Sequence, residues 1–151
     1  MTRWPRGEVE IEQLIHTKAL QRVAGAQADG TQLIEKATRT LATAAEISDR
    51  DPDSAFVLAY DAARYCGTAL LAHQGLRPTT AGGHYTVEVA LRAQFGEGFR
   101  AFGTLRRRRN ELEYPSVPVE ITTPAEVEAA IADARRFLGA ANVLLPQLSK
   151  F

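Results

Sequence analysis

The sequence predicts an all-α protein, an up-and-down antiparallel bundle of four to five long helices preceded by a short N-terminal helix. Three observations predict it. Alanine is abundant and β-branched residues are sparse, apolar residues recur at helical spacing, and few stretches alternate with period two. At 151 residues the chain has the length of one domain. We divide it into a helical extension over 1–28 and a bundle domain over 29–151.

A short first helix is expected over about 9–23, with Ile11, Leu14, Ile15 and Leu20 forming its apolar stripe. Residues 24–29 read as a connection. A second helix spans about 31–47, turning Leu33, Ile34, Ala37, Leu41 and Ala44 inward. "DRDPDSAF" marks the start of the third: Asp51 as N-cap, Pro52 at the first helical position, and Asp53 favourable to the helix dipole. That helix continues to about His73 and ends at Gly75. Its alanines, with Cys66 and Gly67, allow a neighbouring helix to approach closely.

"GLRPTTAGG" reads as a loop, followed by a fourth helix over about 84–94 that Gly96 and Gly98 break. A fifth runs from about Phe99 to Glu113, where Pro115 and Pro118 stop it. "VPVEIT" reads as loop, with a short extended piece as the alternative. Thr123, Pro124 and Glu126 then spell a capping box with proline at the first helical position, opening a last helix to about Leu145.

Net charge is zero, so no global field draws the chain to nucleic acid or to an anionic membrane. Any such attraction is local. The basic residues are 15 arginines and 3 lysines, and the longest basic block is Arg106 to Arg109. The single Cys66 sits among alanines and glycine, which reads as an inert core thiol in a reducing compartment. Three scattered histidines and one cysteine give no metal-ligand spacing, so neither metal nor cofactor is expected. The first ten residues are polar and charged, unlike a signal peptide. Nothing approaches the roughly 18 apolar residues of a membrane span. A cytoplasmic protein without a membrane partner is the expectation.

The segment with most to say about function is "LRRRRNELEYP" (105–115). Phe102, Leu105, Arg109 and Leu112 recur at spacings of three, four and three, which is the apolar stripe of the fifth helix with an arginine in it. Arg106, Arg107 and Arg108 fall outside that stripe. They read as a solvated face, with Arg107 pairing to Glu111 at i, i+4, mildly favourable to nucleic acid. Arg109 has two readings. It is a structural ion pair, with Asp61 or Glu113, or a cleft arginine whose planar fork is aimed at phosphate.

Asn110 and Tyr114 are four apart and share a helix face with each other, clustering with Arg109 at the helix's C-terminal end. In an up-and-down bundle the start of the fourth helix, with Gly82, Gly83 and His84, lies near that end. The two glycines read as a plain loop or as flexible backbone at an anion-favouring helix start. His84 reads as a helix-start surface residue or as a proton acceptor. His73 and His16 are weaker candidates for that role.

With these residues in view, the sequence resembles the HEPN superfamily, the "higher eukaryotes and prokaryotes nucleotide-binding" helical bundles, over about 29–145. The likeness is carried by "AYDAARYCGTALLAHQGLRP" (59–78), "GGHY" (82–85) and "LRRRRNELEYP". It is similar in particular to a subgroup of small bacterial HEPN proteins, whose lead-in segment "IEQLIHTKALQRV" (11–23) also resembles.

The resemblance implies a helical bundle that dimerises so that two motifs face one cleft. It implies a nucleotide- or RNA-linked role, often metal-independent RNA cleavage in toxin–antitoxin, defence or RNA-processing systems. The family motif is an arginine, commonly followed by a polar residue such as asparagine, and a histidine after four to six residues. Arg109 matches the arginine and Asn110 the polar residue, but Tyr114 stands where the histidine belongs.

That departure falls on the base itself. Metal-free cleavage removes a proton from a 2′-hydroxyl, which a histidine near pKa 6.5 does readily and an ordinary tyrosine near 10 does not. Losing a general base costs about 10²- to 10⁴-fold. The implied function is therefore an RNA- or nucleotide-directed protein using Arg109, Asn110, Tyr114 and His84, with Arg106 to Arg109 as its nucleic-acid face. The alternative is a non-catalytic homodimeric module paired with another protein or with a nucleotidyltransferase that modifies a tyrosine near the motif, Tyr114 being the acceptor. A small-ligand bundle with arginine as an anion anchor is a third reading, with no phosphate loop or catalytic triad to support it.

Overall fold

A computed structural model describes residues 2–80, 83–115, 118 and 121–151. Gly82 and half of "VPVEIT" lie outside the described residues. Six helices carry the fold: α1 (Glu8–His16), α2 (Thr31–Ile47), α3 (Pro52–His73), α4 (Gly83–Phe95), α5 (Ala101–Glu113) and α6 (Pro124–Leu144). The architecture is the all-α bundle that the pattern predicts.

Local chemistry sets the helix ends. The Asp51 side chain accepts from the Ser54 N–H and Pro52 opens α3, while Thr123 accepts from the Glu126 N–H and Pro124 opens α6. The capping box at α6 is only half formed, because the Glu126 carboxylate turns to Arg108 at 2.7 Å instead of returning to the cap. Gly75, at φ +74°, ends α3 in a left-handed conformation that a side chain would strain.

Two segments differ from the sequence expectation. The first helix stops at His16, and Leu20–Arg22 forms a strand, β1, paired antiparallel with β2 (Leu76–Pro78). Lys18, at φ 64°, turns the chain between α1 and β1. Both strands are three residues long, so neither shows enough alternation to register as a strand. They still bury Leu20 and Leu76 completely or nearly so. The fifth helix also starts later than expected, since Gly96–Phe99 forms a 3-10 turn before α5.

α3 is the central helix, packed against α2, α4, α5 and α6. Twelve of its residues are buried, from Ala55 through Ala72. At Gly67 an added Cβ would lie 2.7 Å from Leu91 and 2.9 Å from Val87, so α4 crosses at a distance only glycine permits. Residues ahead of α2 share the same core: Ile11 and Leu20 are buried in it, and Trp4 packs on Phe95.

An aromatic spine runs through this core. Trp4, Phe95, Phe99 and Phe137 follow one another with centroid separations of 5.3 to 5.7 Å. Phe102 touches Phe137 at 6.4 Å and Tyr60 at 5.5 Å, and Tyr60 reaches His84 at 5.5 Å. Such ring pairs add to the burial of their apolar area. The spine's polar end, Tyr60 and His84, is where the candidate site begins.

Candidate functional site

Four successive arginines on α5 advance about 100° each and so point in different directions. Arg106 reaches α4, where its Nε–H donates to the Glu88 carboxylate at 2.9 Å. Arg107 projects outward with 61% of its side chain exposed and only grazes Glu88, at 4.0 Å. Arg108 crosses to α6 and pairs with Glu126, and also with Glu111 on its own helix at 3.2 Å. Arg109 turns inward toward α3.

This corrects the reading of a uniformly solvated face. Arg106 and Arg108 have side chains only 19% and 17% exposed, and Glu111 pairs with Arg108 rather than with Arg107. Glu88 is itself nearly buried, and Gly103 makes room for it: a Cβ there would overlap the Glu88 carboxylate.

Arg109 pairs with neither Asp61 nor Glu113, and among the described residues no carboxylate lies within ion-pair distance of it. Its guanidinium carbon lies 5.8 Å from the Tyr60 ring centroid and 5.7 Å from that of Tyr114. One terminal nitrogen makes a long contact, 3.4 Å, with the Asn110 side-chain oxygen. Tyr114 closes α5, its backbone N–H bonded to the Asn110 carbonyl, and its side chain stands 70% exposed.

Through Tyr60 the cluster extends to His84 and to Arg64, which sits one turn along α3 and contacts Asp61 at 3.8 Å. The arrangement therefore gathers Arg109, Asn110, Tyr114 and His84 with two groups that sequence reasoning missed, Tyr60 and Arg64. Their signal was present in "AYDAARY": a tyrosine and an arginine at i, i+4 within an alanine-rich helix share one face.

Electrostatics mark the cluster. Burial, then the neighbouring Arg64, Arg109 and Arg106, push the His84 imidazole down to about 4, so it is neutral at pH 7. Burial raises the Tyr60 phenol well above its ordinary value despite the same arginines. Burial also raises Asp61, against the pull of Arg64 and Arg109.

Four buried side-chain polar atoms lack a hydrogen-bond partner among the described residues: the Tyr60 hydroxyl, Arg64 Nε, Arg109 Nε and His73 Nδ1. Three of the four belong to this cluster. A buried polar group left unpaired costs about 1–3 kcal/mol, so their concentration at one place marks a site with unused donor capacity. An open cavity of about 250 Å³ adjoins it, lined in part by Arg64, Thr68, Thr79, Thr80, His84 and Val87.

The family model for the HEPN domain matches residues 31–144. The chain belongs to the HEPN family. The match runs from the first residue of α2 to the last of α6, so the HEPN domain here is the bundle that carries every residue of the cluster. It specifies the HEPN domain and no subgroup. No curated protein and no solved structure matches the chain. HEPN domains are associated with RNase and nucleotide-related roles and commonly dimerise. Among the described residues of this one, no helix is long and apolar enough to cross a membrane.

Proposed function

We propose that this HEPN domain binds RNA or nucleotide phosphate at the cluster of Arg109, Arg64, Tyr60 and His84. The carrying observation is Arg109: turned inward, free of any carboxylate pair among the described residues, with its Nε unpartnered beside two other unused donors. A phosphate oxygen supplies the acceptors these groups lack, and the planar guanidinium suits it. Asn110 and the exposed Arg107 extend the polar surface. Arg106 and Arg108 contribute less charge, being neutralised by Glu88 and by Glu126 with Glu111.

Cleavage depends on a proton acceptor. Tyr114 stands at the family's histidine position, 70% exposed against Arg109. His84 is the imidazole of the cluster, neutral but weakly basic when the site is empty. A bound phosphate offsets the arginine charge and restores part of its basicity.

The test is binding and cleavage of RNA by purified protein in excess chelator, with wild type, Arg109→Ala and His84→Ala. Salt-sensitive binding lost in Arg109→Ala is expected, because the attraction is electrostatic. Binding indifferent to salt and to Arg109 would sink the reading.

A second reading has its own observation. The accessible Tyr114 hydroxyl makes no hydrogen bond among the described residues, which suits a group modified by a partner nucleotidyltransferase of a homodimeric module. Co-expression with such an enzyme then shifts the intact mass of wild type but not of Tyr114→Phe.

A further inference from the structure

Two of the four tyrosines are largely exposed, Tyr85 at 61% and Tyr114 at 70%. Each rests on an arginine of α5. The Arg106 guanidinium carbon lies 5.4 Å from the Tyr85 ring centroid, and that of Arg109 lies 5.7 Å from the Tyr114 centroid. A cation over one face of a ring holds it in place and leaves the remaining surface open.

The Tyr85 platform is built in layers. Gly103 leaves room for the Glu88 carboxylate, Glu88 fixes the Arg106 Nε–H at 2.9 Å, and Arg106 supports the ring. Arg106 and Arg109 are three residues apart, neighbours on α5 separated by about 4.5 Å along its axis. Tyr85 also follows His84 directly in the chain. The two open rings therefore rest on arginines one turn apart on α5, Tyr114 on Arg109 itself and Tyr85, next in the chain to His84, on Arg106.

We propose that Tyr85 and Tyr114 are stacking platforms for two unpaired bases of a single strand whose phosphate is held by Arg109 and Arg64. The inference rests on the phosphate-binding reading above and adds strand selectivity to it. Arginine and phosphate alone do not separate a single strand from a duplex. Open aromatic rings do, because bases offer their faces for stacking only when they are unpaired.

The experiment measures binding of a short, unstructured, fluorescently labelled RNA by anisotropy in chelator. The same strand is also presented paired with its complement and as an abasic ribose-phosphate chain. The proteins are wild type, Tyr85→Ala, Tyr85→Phe, Tyr114→Ala, Tyr114→Phe and Arg109→Ala. Thermal melting checks the fold, which both exposed positions leave intact.

The unpaired strand binds most tightly, each alanine variant loses about five- to a hundred-fold on it, and the phenylalanine variants retain binding. On the abasic chain the alanine variants match wild type. Should they match wild type on the normal strand too, while Arg109→Ala still weakens binding, the platforms are overturned and the phosphate site stands. Equal losses on normal and abasic strands overturn stacking as the cause. A wild type that binds no RNA overturns both readings. Alanine variants that change self-association but not RNA binding make these rings a protein interface instead.

Discussion

The guanidinium carbon of Arg109 lies 5.8 Å from the ring centroid of the buried Tyr60, with Arg109 Nε and the Tyr60 hydroxyl both lacking hydrogen-bond partners among the described residues. A structural arginine in such a position is held by a carboxylate, as Arg106 and Arg108 are. The contrast within one tetrapeptide separates the arginine available to a ligand from those committed to the fold.

That contrast predicts opposite consequences for two substitutions. Arg109→Met breaks no ion pair among the described residues and leaves thermal stability close to wild type, while RNA binding falls by tenfold or more, consistent with about 1.5–3 kcal/mol for hydrogen bonds to charged groups. Arg109→Lys keeps the charge but loses the planar fork, and recovers only part of the binding. Paired melting and anisotropy measurements check this. A large loss of melting temperature in Arg109→Met would mark the residue as structural.

Glu88→Ala has the reverse profile. It strands Arg106, whose side chain is 19% exposed, beside an empty position. Removing one partner of a largely buried pair costs about 3 kcal/mol or more. Urea unfolding should show the free energy of unfolding falling by that amount, seen as a lower midpoint with little change in slope. Gly103→Ala should imitate it in part, because its Cβ displaces the Glu88 carboxylate.

The sequence carried the bundle because its strongest signals are local. Asp51 with Pro52 and Thr123 with Pro124 name their helix starts through chemistry that acts within four residues. What it did not carry depends on distant partners. The pairing of Leu20–Arg22 with Leu76–Pro78 joins segments over fifty residues apart, each too short to show a period. The direction of each arginine likewise depended on where Glu88 and Glu126 stood on other helices. Tyr60 is easily overlooked, because a tyrosine on an alanine-rich helix looks apolar until its hydroxyl is seen to have no partner among the described residues.

Close helix approach gives a structural prediction of a different kind. At Gly30, the residue before α2, an added Cβ would press into the Ala69 carbonyl on α3, which is backbone and cannot rotate away. Gly30→Ala therefore forces the two helices apart and destabilises by about 1–3 kcal/mol. Gly139→Ala, where an added Cβ meets nothing, serves as the control and leaves stability unchanged or slightly improved. Urea titration of both variants distinguishes crowding from a general intolerance of alanine.

His84 supplies a pH prediction whose sign is the reverse of a histidine held by a carboxylate. Its folded value of about 4 lies below the ordinary 6.5, so the unfolded chain binds the proton more readily. This contribution to stability is complete above about pH 6.5 and is lost as the pH falls toward 4, where folded His84 also protonates. His84→Asn should flatten that part of the stability profile. NMR titration of the imidazole should give a midpoint near 4 in the free protein. Burial depresses it most, but Arg64, Arg109 and Arg106 depress it further, so an anion seated among them raises the midpoint part of the way. Inorganic phosphate, added at constant ionic strength with chloride as the reference, should move the titration upward in wild type and less in Arg109→Met. A midpoint near 6.5 in the free protein, or one indifferent to phosphate, would remove His84 from the anion site.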